Sequence, residues 1–350
     1  MTLKNCLAKR IKRFQAFLKK EKVDGCVVDN PVDLFYLTGL KLSLGRLVVT
    51  QKEATLFVDG RYFQMCLGNS LIRVEKNSLQ VLKDCLKKIK TLAFDSVYTS
   101  VDQYDELHKL FGKKLKKIQS PLKMVRAVKD AGELKSLKKS AALLWKGFLH
   151  IKKMLKEGVT ESALSKEFEI YCLKHGALSL GFEPIIAFGE NSAMPHHRAG
   201  PRRLKKGDHV LIDIGVVVES YHSDMTRVFY FGKKEAQIMA MEKVVKKAHK
   251  AALSLCRPGV SVKELDLAAR EEMQKAGMED LFTHSLGHGV GLEIHEFPRI
   301  RKDQETILEA GMVITIEPGL YLPGIGGIRH EDTIIITPKG YENLYANDLD

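Results

Sequence analysis

No apolar run in the 350-residue chain approaches the roughly 20 residues of a membrane-spanning helix, so no membrane partner is expected. CxxC pairs are absent. The six cysteines, Cys6, Cys26, Cys66, Cys85, Cys172 and Cys256, sit mostly in apolar contexts, which suits reduced thiols in a cytoplasm and excludes a cysteine-based zinc site. No HExxH occurs, which removes a thermolysin-like centre. GxSxG is also missing, and no cysteine has an obvious histidine and asparagine pairing, which disfavours a nucleophilic hydrolase. The glycine-rich stretches GHGVGL and GLYLPGIGG do not open a helix after a strand with dinucleotide-binding spacing. A secretory signal is lacking too. The start, MTLKNCLAKRIKRFQAFLKK, has no acids and places Leu3, Leu7, Ile11, Phe14 and Leu18 on one helical face, read as the first helix of a domain.

Hydrophobic residues make up 45 % of the chain, enough for well-formed cores, and the length is comfortable for two domains. The net charge of +13 comes mostly from lysine. The lysines are scattered in pairs and not interleaved with aromatics, which argues for solvated helix faces and against a nucleic-acid footprint.

The first third alternates helix and strand: a helix over about 3–21, a strand at 25–29, an extended segment LFYLTGL, and a hairpin turning at Gln51, Lys52 and Glu53. A helix near 79–90, the strand TLAFDS and a helix near 101–112 follow. Asp130, with Glu133 three residues on, is a plausible N-cap for a long helix. The expected domains are 1–124 and 125–350.

The second domain repeats itself. EGVTESALSKEFEIYCLKHGA (157–177) resembles PGVSVKELDLAAREEMQKAGM (258–278), each a turn, a Thr or Ser N-cap and an amphipathic helix. KGDHVLIDIG resembles AGMVITIEPG, matching Asp213 to Glu317, and DMT resembles EDT, matching Asp224 to Glu331. Each half thus supplies two strands, each carrying an acid. A buried unpaired carboxylate costs several kcal/mol, roughly, so such acids need partners. Packing about a pseudo-two-fold axis would converge all four, and a hairpin turn near residue 218 would oppose Asp213 to Asp224.

Four clustered carboxylates need positive charge among them, which divalent ions supply. THSLGHGVGLEIHEFP offers His284, His288 and His295, and the glycines flanking His288 allow close backbone approach. Oxygen ligands with one imidazole suit Mn²⁺, Co²⁺ or Fe²⁺, and less often Zn²⁺. Two bridging carboxylates would make a two-metal site that generates hydroxide and polarises a carbonyl or phosphoryl group.

These segments, DIGVVVESYHSDMTR, GHGVGLEIHEFP, TIEPGLY and GIRHEDT, resemble those of the metallopeptidase family of methionine aminopeptidase, prolidase and aminopeptidase P. The first third, with VDGCVVDNPVDLFYLTGL and FVDGRYF, resembles the creatinase-type domain of prolidases and aminopeptidases P. The resemblance implies an α+β protein: a C-terminal pita-bread domain with a pseudo-two-fold repeat, preceded by a smaller α/β domain. It implies two divalent ions, Mn²⁺ foremost, with Asp213 on one, Glu317 and His288 on the other, and Asp224 and Glu331 bridging. Glu317 would manage a proton, His196, His284 and His295 would contact substrate, His196 and His295 taking part in catalysis, and Arg329 and Tyr321 would support the carboxylates. His197, His209, His222 and His330 are read as surface or structural.

The activity expected is that of an Xaa-Pro aminopeptidase releasing the residue before a proline at position two, toward which HEFP leans. The alternative is an Xaa-Pro dipeptidase. A rival of another class is a non-catalytic pita-bread module binding RNA or protein, which the intact ligand set argues against. A homodimer is carried over from the resemblance.

Overall fold

The computed structural model describes residues 3–68, 72–233 and 235–345, and the Leu3 side chain of the first helical face lies outside what is described. The chain divides into two units, Met1–Arg126 and Ala127–Asp350.

In the first unit, helix α1 (Leu3–Lys20) buries Leu7, Ile11, Phe14 and Leu18. Strand β1 (Gly25–Val28) leads into helix α2 (Pro31–Thr38), which corrects the extended reading of LFYLTGL. The cause is local. Asn30 caps the Val32 amide, Pro31 fixes the first turn, and Gly39 closes the helix in the left-handed region at φ 73°. The hairpin of β2 (Arg46–Thr50) and β3 (Ala54–Val58) turns where expected. Helix α3 (Gly60–Cys66), β4 (Arg73–Lys76), α4 (Leu79–Leu86), β5 (Leu92–Asp95), α5 (Val101–Phe111) and β6 (Leu115–Ile118) complete a six-stranded sheet of order β4-β3-β2-β1-β5-β6. Pairing is antiparallel from β1 to β3 and parallel toward both edges. A short helix α6 (Lys123–Ala127) carries the chain onward.

The second unit is built twice over. Its first half has α7 (Ala131–Lys153) and α8 (Glu161–Lys174), then β7 (Ser179–Leu180), β8 (Ile185–Phe188), β9 (His209–Ile214), β10 (Val216–Val218), β11 (Tyr221–His222) and β12 (Met225–Tyr230). Asp130 and Glu133 form the capping box foreseen for α7. The second half has α9 (Ala236–Leu255) and α10 (Val262–Lys275), then β13 (Gly287–Gly289), β14 (Glu296–Ile300), β15 (Val313–Ile316), β16 (Gly319–Leu322), β17 (Gly326–Arg329), β18 (Asp332–Thr337) and β19 (Gly340–Asn343). Thr160 and Ser261 cap α8 and α10 at matched positions of the repeat.

Each half packs its helix pair over its own sheet. Leu144, Phe148 and Phe168 meet Ile212 and Ile214 in one core, and Val245, Leu265 and Ala269 meet Ile314, Ile316 and Ile334 in the other. Strand side chains alternate faces. Burying Ile212 and Ile214 under helices therefore turns Asp213 to the opposite face, and burying Ile314 and Ile316 does the same for Thr315 and Glu317. The halves join at an antiparallel bridge between Thr226 and Glu331, where the Glu331 amide donates to the Thr226 carbonyl at 3.2 Å.

Candidate metal centre

The hairpin carrying Asp213 and Asp224 turns at Glu219 and Ser220, beside 218 as expected but one position too late to oppose Asp213 to Asp224. Both turn residues are left-handed, φ 52° and 72°, as a two-residue hairpin turn favours. Val218 pairs with Tyr221, so the residue opposite Asp213 is Thr226, and Asp224 lies diagonally from Asp213. In the second half β15 pairs Ile316 with Asp332, and one further step of that register sets Glu317 across from Glu331. A register shift between His288 and Gly289 on β13 re-aims the imidazole. The flanking glycines are required: a Cβ on Gly287 would run into the Thr315 carbonyl, and one on Gly289 into the Phe297 carbonyl.

Asp224, His288 and Glu331 each bring one ligand atom within 4.8 Å of the other two. His288 Nε2 lies 3.4 Å from Glu317 Oε1 and 3.6 Å from Asp224 Oδ2. Its Nδ1 faces the Gly289 carbonyl at 3.1 Å and so carries the proton, leaving the Nε2 lone pair directed at the acids. Asp213 joins through Arg329, whose guanidinium donates to Asp213 Oδ2, to Thr226 Oγ1 at 3.1 Å and to Tyr321 Oη at 2.7 Å.

Burial, followed by the charges of Glu331, Asp213 and Glu317, pushes the Asp224 carboxyl well above its usual range. Burial and the Glu331 charge do the same to Glu317. Burial and Asp213 lift Glu331 to about 8. Burial, with His295 beside it, lowers His288 to about 3. The four acids are short of compensating charge. Asp213 Oδ1 is buried with no hydrogen-bond partner, an orphaned acceptor on an acid whose charge bears on the other three. An orphaned carboxylate oxygen, acids forced toward neutrality and a deprotonated imidazole nitrogen at ligand spacing together fit divalent cations.

The three histidines expected at the substrate lie around this cluster. His295 is exposed and meets the His288 ring edge-on, centroids 4.4 Å apart. His196 is exposed and close enough to bear electrostatically on both His284 and His295. His284 has both ring nitrogens engaged, Nδ1 with the Ser285 carbonyl and Nε2 with Tyr321 Oη, each at 2.8 Å. Tyr321 therefore reaches the acids through Arg329. His197 contacts Glu161 at 2.8 Å, and His209 is buried against Ser192, as structural groups would be.

Two threonines were not singled out from the sequence. Thr226 Oγ1 donates to Glu331 Oε2 at 2.7 Å while accepting from Arg329, and Thr315 Oγ1 donates to Glu317 Oε1 at 3.4 Å. Thr226 stands in the repeated DMT and EDT motifs, where the recurring Thr was the available signal. Thr333, its counterpart, donates to the Asp224 carbonyl at 2.8 Å.

This fold around this centre defines a metal-dependent hydrolase of peptide bonds with the pita-bread architecture. The chain belongs to Metallopeptidase family M24, whose model matches residues 135–338, and the Creatinase/Prolidase N-terminal domain matches residues 10–128. An Xaa-Pro dipeptidase of Pyrococcus furiosus is 35 % identical over 97 % of this chain and 98 % of its own. Among solved structures, an Xaa-Pro dipeptidase from Bacillus anthracis superposes with a TM-score of 0.93 at 28 % identity, covering 98 % of this chain and 99 % of that one. The prolidase from Pyrococcus horikoshii gives a TM-score of 0.90 at 34 % identity with the same coverage. These relatives overturn the aminopeptidase expectation and favour the dipeptidase alternative. HEFP misled because its His295 stands against the His288 ring, at the cluster itself, and carries no information on substrate length. Among the described residues no helix is long and apolar enough to cross a membrane.

Proposed function

We propose that the chain is an Xaa-Pro dipeptidase that hydrolyses the bond between an N-terminal residue and a C-terminal proline. The observation that carries this reading is near-full-length similarity, at 35 % identity, to a relative named for that activity. Asp213, Asp224, His288, Glu317 and Glu331 would hold two divalent ions, Mn²⁺ foremost, with Co²⁺, Fe²⁺ or Zn²⁺ as possible occupants. Bound there, such ions supply Lewis acidity toward the scissile carbonyl and lower the pKa of water. Glu317, held by Thr315 Oγ1 beside His288, takes a proton from the attacking water and returns it to the departing proline nitrogen. His295 and His196 line the open side and are free to hydrogen-bond the dipeptide. Tyr321 and His284 hold each other and keep Arg329 against Asp213. A homodimer and a cytoplasmic setting complete the reading, the latter in keeping with six free thiols.

The test uses metal-stripped protein with and without Mn²⁺, given Ala-Pro and Ala-Pro-Ala side by side while free alanine is followed. Mn²⁺-dependent cleavage of Ala-Pro alone is expected. Cleavage of the tripeptide overturns the dipeptide restriction, and cleavage of neither overturns the proline-directed reading.

A further inference from the structure

Outside the acid cluster, His249 on α9 comes against His330 and Asp332. Each offers one ligand atom, and the three atoms lie within 4.8 Å of one another. Asp332 Oδ2 stands 3.4 Å from His249 Nε2 and 3.9 Å from His330 Nε2. The imidazoles meet edge-on with centroids 4.6 Å apart. Tetrahedral zinc, with bonds of about 2.0–2.1 Å, spaces its ligand atoms by roughly 3.4 Å, close to what these side chains already show.

Ordinary packing leaves part of this unexplained. His249 is 6 % exposed, and its Nε2 has no hydrogen-bond partner. The Asp332 carboxylate is already held elsewhere: Oδ1 accepts from Arg227 and Oδ2 from Asn343, both at 2.7 Å. Arg227 thus neutralises Asp332 without satisfying the His249 nitrogen, while Asn343 fixes the carboxylate, as partners of metal ligands do. The His330 side chain is 27 % exposed, which opens one side of the cluster to ions and water.

We propose that His249, His330 and Asp332 form a zinc-class site separate from the acid cluster, with water completing the coordination. Two imidazoles and one carboxylate favour Zn²⁺, Ni²⁺ or Co²⁺ over Mn²⁺, whereas four carboxylates and one imidazole tolerate Mn²⁺. The two sites therefore sort metals by donor chemistry. The zinc-class ion ties α9 to the start of β18, the residue after Glu331, and so links the helix layer of the second half to the strand entering the acid cluster.

The test is zinc stoichiometry on the full metal-stripped chain, by equilibrium dialysis against Zn²⁺ with metal analysis, and needs no activity. Four proteins are compared: the parent, His249→Gln, His330→Gln, and an Asp224→Asn/Glu331→Gln double variant that disables the acid cluster. The parent should hold one equivalent more than either histidine variant. The double variant should keep that equivalent, with two imidazole nitrogens in its zinc X-ray absorption spectrum. His330→Gln, at a half-buried position, guards against misfolding of the His249 variant, and circular dichroism checks both. Equal zinc content in parent and both histidine variants, or no histidine-ligated zinc in the double variant, overturns the proposal. Failure of the dipeptidase reading would leave these counts unchanged.

Discussion

Arg329 donates to Asp213 across 116 positions of chain, from the second half of the repeat to the first. The same guanidinium holds Thr226 and Tyr321, so one planar group orients an acid, a hydroxyl that serves a second acid, and a phenol. Lysine has the charge without the fork. Arg329→Lys should therefore weaken metal binding about 10- to 100-fold, the usual cost of losing a group that orients a ligand. Metal titration of stripped protein measures this, and an unchanged affinity would show that Asp213 is held without Arg329.

Gly287 illustrates a packing constraint with a functional readout. Its absent Cβ is what lets β13 lie against the Thr315 carbonyl, and His288 is the next residue. Gly287→Ala should destabilise the fold by about 1–3 kcal/mol and shift His288 away from Glu317. Metal occupancy should fall with stability, whereas an alanine at Gly340, the first residue of β19, where a Cβ would meet nothing, should change neither. Denaturant unfolding and metal analysis on the two variants give the comparison.

His209 sets a pH dependence. Burial lowers its imidazole from 6.5 to about 4, with Ser192 Oγ at 2.7 Å from its Nε2. The unfolded chain takes up a proton at higher pH than the folded one. The stabilisation is therefore full above about pH 6.5 and is lost as pH falls toward 4. His209→Gln removes this proton, so its unfolding free energy should decline less steeply between those pH values. Parallel slopes for parent and variant would mean that His209 does not titrate on unfolding.

The repeat was legible because turn, cap and amphipathic helix recur with the same glycines, and the acids follow at nearly constant offsets. The alternation of Ile212 and Ile214 around Asp213 was visible too, and it is what turns the acid out of the core. The hairpin register was harder to read. Glu219 and Ser220 adopt left-handed backbone without the Asn-Gly signature, and a shift of one position exchanges Asp224 for Thr226 opposite Asp213. Helix α2 had its signals in Asn30, Pro31 and Gly39, but the apolar run LFYLTGL outweighed them. The grouping of His249 with His330 and Asp332 leaves no local trace, since it depends on how α9 lies over β17 and so reaches Asp332 just beyond it. The choice between dipeptide and longer substrates was not written in the metal segments at all.

Asp213 and Asp224 come from the first half of the repeat and His288, Glu317, Arg329 and Glu331 from the second, so the proposed centre is completed only late in the synthesis of the chain. A ribosome that has released only the first half has exposed two acids, with no imidazole from β13 and no Arg329 to orient them. Such a fragment lacks three of the five residues proposed to hold the ions. The duplication thus works as an interlock, in which the blade forms only when both halves of the handle have closed.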